Sequence, residues 1–240
     1  MEKSLSLIVL SLILIVFQDR LAAQQQSSNP IISKASADHL QLLRDHAVIY
    51  NGAEYVGYGQ QINGHPFFGN DNLKRGDLLY LGVWYKDIPL YYDLVTGIVL
   101  IQRHDGYQYI RLASGKIGAF TYDSASFVRI TSPLNNETDP AFFQQLYDGR
   151  TKVYAQKKKV IVASGSSEKG GAFFQQFNQY YVVNNNKWSE IKSSRDLLSA
   201  YGVYKEQLRR WLSEQPCRFK KNPEWILVKS AAFIETLSKR

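Results

Sequence analysis

The sequence predicts an α+β fold: a large antiparallel β-meander sheet, curved or partly closed, covered by C-terminal helices. Three observations predict it. From Asp77 to Thr131, short apolar runs are cut by turn signals at Gly97, Gly106, Gly115 and Asp123–Ser126, which recur every nine positions. Strands this short joined by tight turns are antiparallel, because parallel pairing needs a crossover of about a dozen residues. From Ser193 onward the apolar residues change to helical spacing. Finally, 13% aromatic and 45% apolar residues supply a packed core and argue against disorder.

The chain opens with Lys3, an apolar run from Leu5 to Phe17, and the small-residue end Leu21-Ala22-Ala23. That run is short for a bilayer span, and its flanks are those of a secretory signal over residues 1–23, cleaved after Ala23. An uncleaved anchor helix is the alternative. No second apolar run of about 20 residues follows, so the mature chain is expected not to be an integral membrane protein. Residues 24–36, rich in Gln and Ser, read as a flexible leader, and 37–240 as a single α+β domain, β-rich over 46–192 and helical over 193–240.

Ala37–Asp45 has room for a helical turn or two. Asn51-Gly52, between β-branched and aromatic flanks, predicts a hairpin, since both residues accept positive φ. Gly69–Gly76 reads as a polar loop. Asp77–Tyr85 is expected as one strand, apolar on both faces and therefore central. Strands follow at Ile88–Val95, after Gly97, and at Tyr107–Ala113, Lys116–Asp123 and Ser126–Thr131. Asp139-Pro140-Ala141 has the form of a helix start, with Phe142, Phe143 and Leu146 on its apolar side. Thr151–Ser164 and the aromatic run from Ala172 form a long hairpin around Gly165–Gly171. Ser193 or Ser194 caps a helix that stops at Gly202, Val203–Gln215 is amphipathic, and Asn222-Pro223-Glu224 starts the last helix.

The segments YNGAEYVGY, GHPFF and PLYYDL, followed by IRLASGKIGAF, resemble a pattern of uncharacterised exported bacterial proteins that spans most of the mature length. The resemblance implies an envelope location. It carries no activity, cofactor or catalytic residue.

Cys217 is the only cysteine, which excludes an internal disulfide and cysteine metal clusters. The histidines His39, His46, His65 and His104 show no metal-ligand spacing, and no metal or cofactor is expected. His104-Asp105-Gly106 reads as turn chemistry. Gly165–Gly171 lacks the Gly-Lys-Ser/Thr ending of a phosphate loop, and no G-x-S-x-G elbow exists for a serine nucleophile.

Net charge is +8, and from Val203 to Arg240 nine basic residues face four acidic ones. Arg209, Arg210, Lys220 and Lys221 mark a basic surface. In an exported protein such a surface suits an envelope protein, anionic lipid headgroups or an acidic polysaccharide, and nucleic acid is not expected. An ordinary solvated face is the plainer reading.

Asp93, inside an apolar strand, must be paired, hydrogen-bonded or shifted in pKa, and such groups concentrate at sites. Tyr91, Tyr92, His65 and Arg103 are candidate partners, and a carboxylate held structurally by backbone or tyrosine hydroxyls is the competing reading. Among the 16 tyrosines and four tryptophans, Trp84 and Trp211 are expected in the core. Tyr107, Tyr109 and Tyr122 suit either core filling or stacking on a ligand. The candidate ligand-binding set is thus Asp93, His65, Tyr107, Tyr109 and Tyr122, with no catalytic residue assigned. The expected function is non-catalytic binding or assembly at the envelope. The alternatives are a carrier with an apolar or lipid ligand in a sheet-helix cavity and a hydrolase using Asp93 with His65.

Overall fold

The computed structural model describes residues 48–59, 62–103, 105–131, 140–163 and 171–238, which, Val48 apart, belong to a unit spanning Ile49–Arg240. The expected signal segment, the leader, the helical turn at Ala37–Asp45, His39, His46, His104, Asp139 and the loop at 165–170 lie outside the described residues.

Twelve strands among the described residues form one mostly antiparallel sheet that is not closed. They are β1 (Ala53–Glu54), β2 (Ile62–Asn63), β3 (Lys74–Tyr80), β4 (Val83–Asp93), β5 (Ile98–Gln102) and β6 (Tyr109–Arg111). After them come β7 (Ile117–Tyr122), β8 (Ala125–Ile130), β9 (Ala141–Asp148), β10 (Lys152–Ala163), β11 (Ala172–Asn184) and β12 (Lys187–Glu190). The order is β1-β6-β5-β4-β3-β7-β8-β9-β10-β11-β12, with β2 added parallel to β11. Helices α1 (Ser194–Ala200), α2 (Lys205–Glu214) and α3 (Pro223–Ser238) close the chain.

Five local expectations are corrected. Asp77–Tyr85 is two strands, because Leu81 (φ 51°) and Gly82 (φ 79°) turn the chain, and β3 begins inside the expected polar loop. Trp84 therefore sits beside a hairpin tip and is 49% exposed. Asn51-Gly52 makes no hairpin: Val48–Tyr50 is a 3-10 turn, and β1 pairs with β6. Gly52 is needed for close approach, since a Cβ there would collide with the Arg111 carbonyl and Ile110. Ala141–Asp148 is a strand, which lets adjacent phenylalanines serve opposite faces: Phe142 meets Tyr92 and Phe120, while Phe143 meets Tyr154, Tyr181 and Trp188.

From β3 onward consecutive pairing breaks once, between β6 and β7. β6 turns to β1, and β7 docks on β3. Gly76 permits that seam, because a Cβ at this position would overlap the Thr121 carbonyl.

The core has distinct parts. Tyr92, Phe120, Phe127 and Phe142 pack ring on ring beside Phe68. Helix α3 covers β9 and β10, α1 covers β11 and β12, and α2 packs on both helices, the layer joined through Val153, Val182, Leu197, Leu208, Leu227 and Ile234. A fully buried leucine of this kind contributes about 1.5–3 kcal/mol by transfer from water. Trp211 stacks on Phe233 within this layer. Helix starts follow their caps: the Ser193 hydroxyl accepts from the Asp196 amide, and Asn222 Oδ1 accepts from the Trp225 amide.

Candidate functional site

Asp93 ends β4 with no solvent exposure. Its Oδ1 accepts from the amides of Val95 (2.8 Å) and Thr96 (3.2 Å), so the side chain caps the turn into β5. The Tyr55 hydroxyl donates to Oδ2 at 3.0 Å, and the Tyr58 hydroxyl reaches both oxygens at 2.8 and 3.1 Å. Two amides and two phenols fill the roughly four lone-pair sites of a carboxylate. Burial first, and then the Asp93 charge, pushes the Tyr55 phenol up; the same desolvation, with the hydrogen bond to Asp93, pushes up Tyr58. Both therefore stay donors at neutral pH.

The second charge is Lys159 of β10, only 8% exposed. Its ammonium donates to the carbonyls of His65 and Phe67, each at 2.8 Å, and lies 3.5 Å from His65 Nδ1. Burial lowers the Lys159 pKa and the Asp93 carboxylate opposes that shift. His65 is also held below its usual range, by burial and then by the Lys159 charge. Backbone ties run through the same point: Phe67 bridges Asp93, the Leu94 amide donates to the Pro66 carbonyl, and the Lys159 amide donates to the Leu94 carbonyl at 3.0 Å.

The predicted residues are only partly gathered here. His65 faces Lys159, and Tyr109 reaches the cluster indirectly, edge-on to Tyr91 (5.3 Å), which stacks on Phe67 (4.2 Å). Burial and Tyr109 push the Tyr91 phenol up to about 12. Tyr122 is in the aromatic core, its hydroxyl donating to the Asn72 carbonyl at 3.0 Å. Tyr107 is 90% exposed at the β5–β6 turn. The carboxylate's partners were missed at the sequence level. Tyr55 and Tyr58 lie outside any strand, with no periodicity to place them, whereas the alternation of β10 does put Lys159 on the face of Val153 and Ala155.

The basic residues separate in the same way. Arg209 is paired with Glu206 at 2.7 Å, while Arg210 is exposed on α2. Arg218, Lys220 and Lys221 are exposed in the α2–α3 loop, which contains no acid. An open cleft of about 750 Å³ lies between this loop, the β11 segment 178–180 and the turn from β12 into α1. Phe219 and Lys220 line one side, Asn178 and Tyr180 another, and Lys192 is held by Glu190 at 2.9 Å.

No family model, curated protein or solved structure matches this chain. Among the described residues no group of three or more His, Cys, Asp or Glu is placed to hold a metal, and no helix is long and apolar enough to cross a membrane. A hydrolase built on Asp93 and His65 needs a carboxylate with a free lone pair beside the imidazole. Here the carboxylate is filled by structural donors, and the imidazole faces an ammonium instead.

Proposed function

We propose that the protein is an exported, non-catalytic binding or assembly protein of the cell envelope. The observation that carries the reading is the saturation of Asp93. The most site-like carboxylate in the chain holds a turn and two tyrosines together and has no lone pair left for a substrate. The cleft beside Lys220 supports a surface-binding role, because it is open and lined by a mixture of polar, aromatic and charged side chains, Glu190 among them. The envelope location rests on the signal-like first 23 residues and on the resemblance to exported proteins. A curled sheet roofed by the C-terminal helices fits the backbone tie between Lys159 and Leu94. A carrier would instead need an enclosed apolar chamber, and native mass spectrometry that finds a stoichiometric co-purifying lipid would favour that alternative.

The test replaces Phe219 with a photoreactive phenylalanine analogue in cells expressing the full chain. Illumination is expected to give a discrete adduct in the envelope fraction, and the same replacement at Trp84 is expected to give none. No adduct from Phe219, or protein found only in the cytoplasm, overturns the reading.

A further inference from the structure

Strand β11 pairs with β10 along Ala172–Val183, but its other edge is filled only at the two ends. β2 covers Ala172 and Phe173, and β12 covers Tyr181–Asn184, with the Ile191 amide donating to the Tyr180 carbonyl at 2.8 Å. The parallel Phe173–Asn63 pairing also takes up the Phe174 N–H, and among the described residues nothing pairs with Gln175–Gln179 on that edge. Since the Tyr180 carbonyl points outward, strand alternation turns the N–H and C=O of Phe174, Gln176 and Asn178 the same way.

Edges of this kind are ordinarily protected by lysine, proline, a bulge or a cover. The run FQQFNQ has no charge and no proline, and its middle residues Gln175–Asn178 are exposed, Phe177 by 46%. The gap is bounded in line by β2 and β12, so the edge of a second sheet would strike both. A bare extended segment of about six residues, roughly 20 Å long, fits between them. The β12 end of the gap opens into the cleft lined by Lys220, where the acid present, Glu190, is held by Lys192 at 2.9 Å and the loop that carries Lys220 has Arg218 and Lys221 but no acid.

We propose that the β11 edge takes up an extended peptide strand of a partner protein, and that a carboxylate on that strand is received by Lys220 in the adjoining cleft. Main-chain bonds to Gln176, Asn178 and the Phe174 carbonyl supply affinity, while the cation selects the acidic segment. This deepens the binding reading above and rests on it.

The probes are fluorescein-labelled decapeptides of alternating valine and threonine with a glutamate at one end. One twin carries lysine for glutamate, and another carries the glutamate with alternate amides N-methylated. Fluorescence anisotropy with the mature chain is expected to show saturable binding of the glutamate peptide and binding about tenfold weaker, or worse, for each twin. Gln176→Pro removes an outward N–H without touching a bond to β10 and is expected to weaken binding by a similar factor at an unchanged melting temperature. Lys220→Glu leaves the edge intact and is expected to reverse the preference between glutamate and lysine.

Equal binding of the twins, or no saturation by about 1 mM, overturns the proposal. A concentration-dependent dimer lost in Gln176→Pro overturns it in favour of a second copy. A Phe219 adduct that survives Gln176→Pro leaves the binding function standing and removes strand addition.

Discussion

Asp93 is the point at which three separate stretches of chain are held: the β4–β5 turn through two amides, the segment after β1 through two phenols, and Lys159 through charge. Removing a carboxylate from such a position leaves several buried donors unmatched and an ammonium less compensated. Asp93→Ala is expected to cost about 3 kcal/mol of folding stability, read from the urea midpoint. Asp93→Asn keeps one acceptor for the turn and is expected to cost less. A loss within experimental error for the alanine variant would show that the carboxylate does not organise the region. The sequence announced that Asp93 needed partners, because an acid in an apolar strand cannot stand alone. It did not announce which ones, since hydroxyls arriving from 35 and 38 residues away leave no trace in local spacing.

At the scale of elements, the strands were legible where alternation and turn glycines agree, as at Gly97 and Gly106, both at positive φ. They were misread where a turn lacks its usual chemistry. Leu81-Gly82 offers one residue of the Asn-Gly type, and its apolar flanks ran together as a single strand. β9 was misread because Asp-Pro imitates a helix start, while tertiary pairing with both β8 and β10 decides the outcome. The helices were plain because α1 and α3 carry local caps and α2, which has no side-chain cap, shows amphipathic spacing. The seam between β3 and β7 yields the sharpest test at this level. Gly76→Ala forces backbone to separate and is expected to cost about 3 kcal/mol or more, whereas Gly82→Ala, at an open turn with positive φ, is expected to cost only about 1 kcal/mol. Equal costs in chemical denaturation would refute the role given to Gly76.

For the whole molecule, the α+β class was readable from composition and periodicity, but the strand order was not, because it is set by pairings far apart in sequence. The tyrosines that fill the interior also set a global property. Burial raises Tyr91 and Tyr122 to about 12 and raises Tyr55, Tyr58 and Tyr92 as well. An unfolded chain releases these protons near pH 10 while the native one keeps them, so the native state binds more protons and loses stability as pH rises above about 10. Lys159 acts in the opposite sense, its depressed pKa favouring the folded form as pH climbs toward 10.5. Urea midpoints measured from pH 8 to pH 11 are expected to decline, and to decline less steeply in a Tyr55→Phe, Tyr58→Phe double variant. A flat profile would mean that the phenols ionise equally in both states.

The parallel register of Ile62 with Ala172 carries a consequence for the nascent chain. At translation speeds of roughly 5–20 residues per second, β2 waits on the order of 5–20 s for its mate to leave the ribosome. Until then β2 has no strand to lie against, and the Tyr58 ring lacks Phe174, on which it packs edge-on at 5.4 Å. Any chaperone that guards this polypeptide during its birth should therefore engage the region just before β3, and should let go only after β11 has been made.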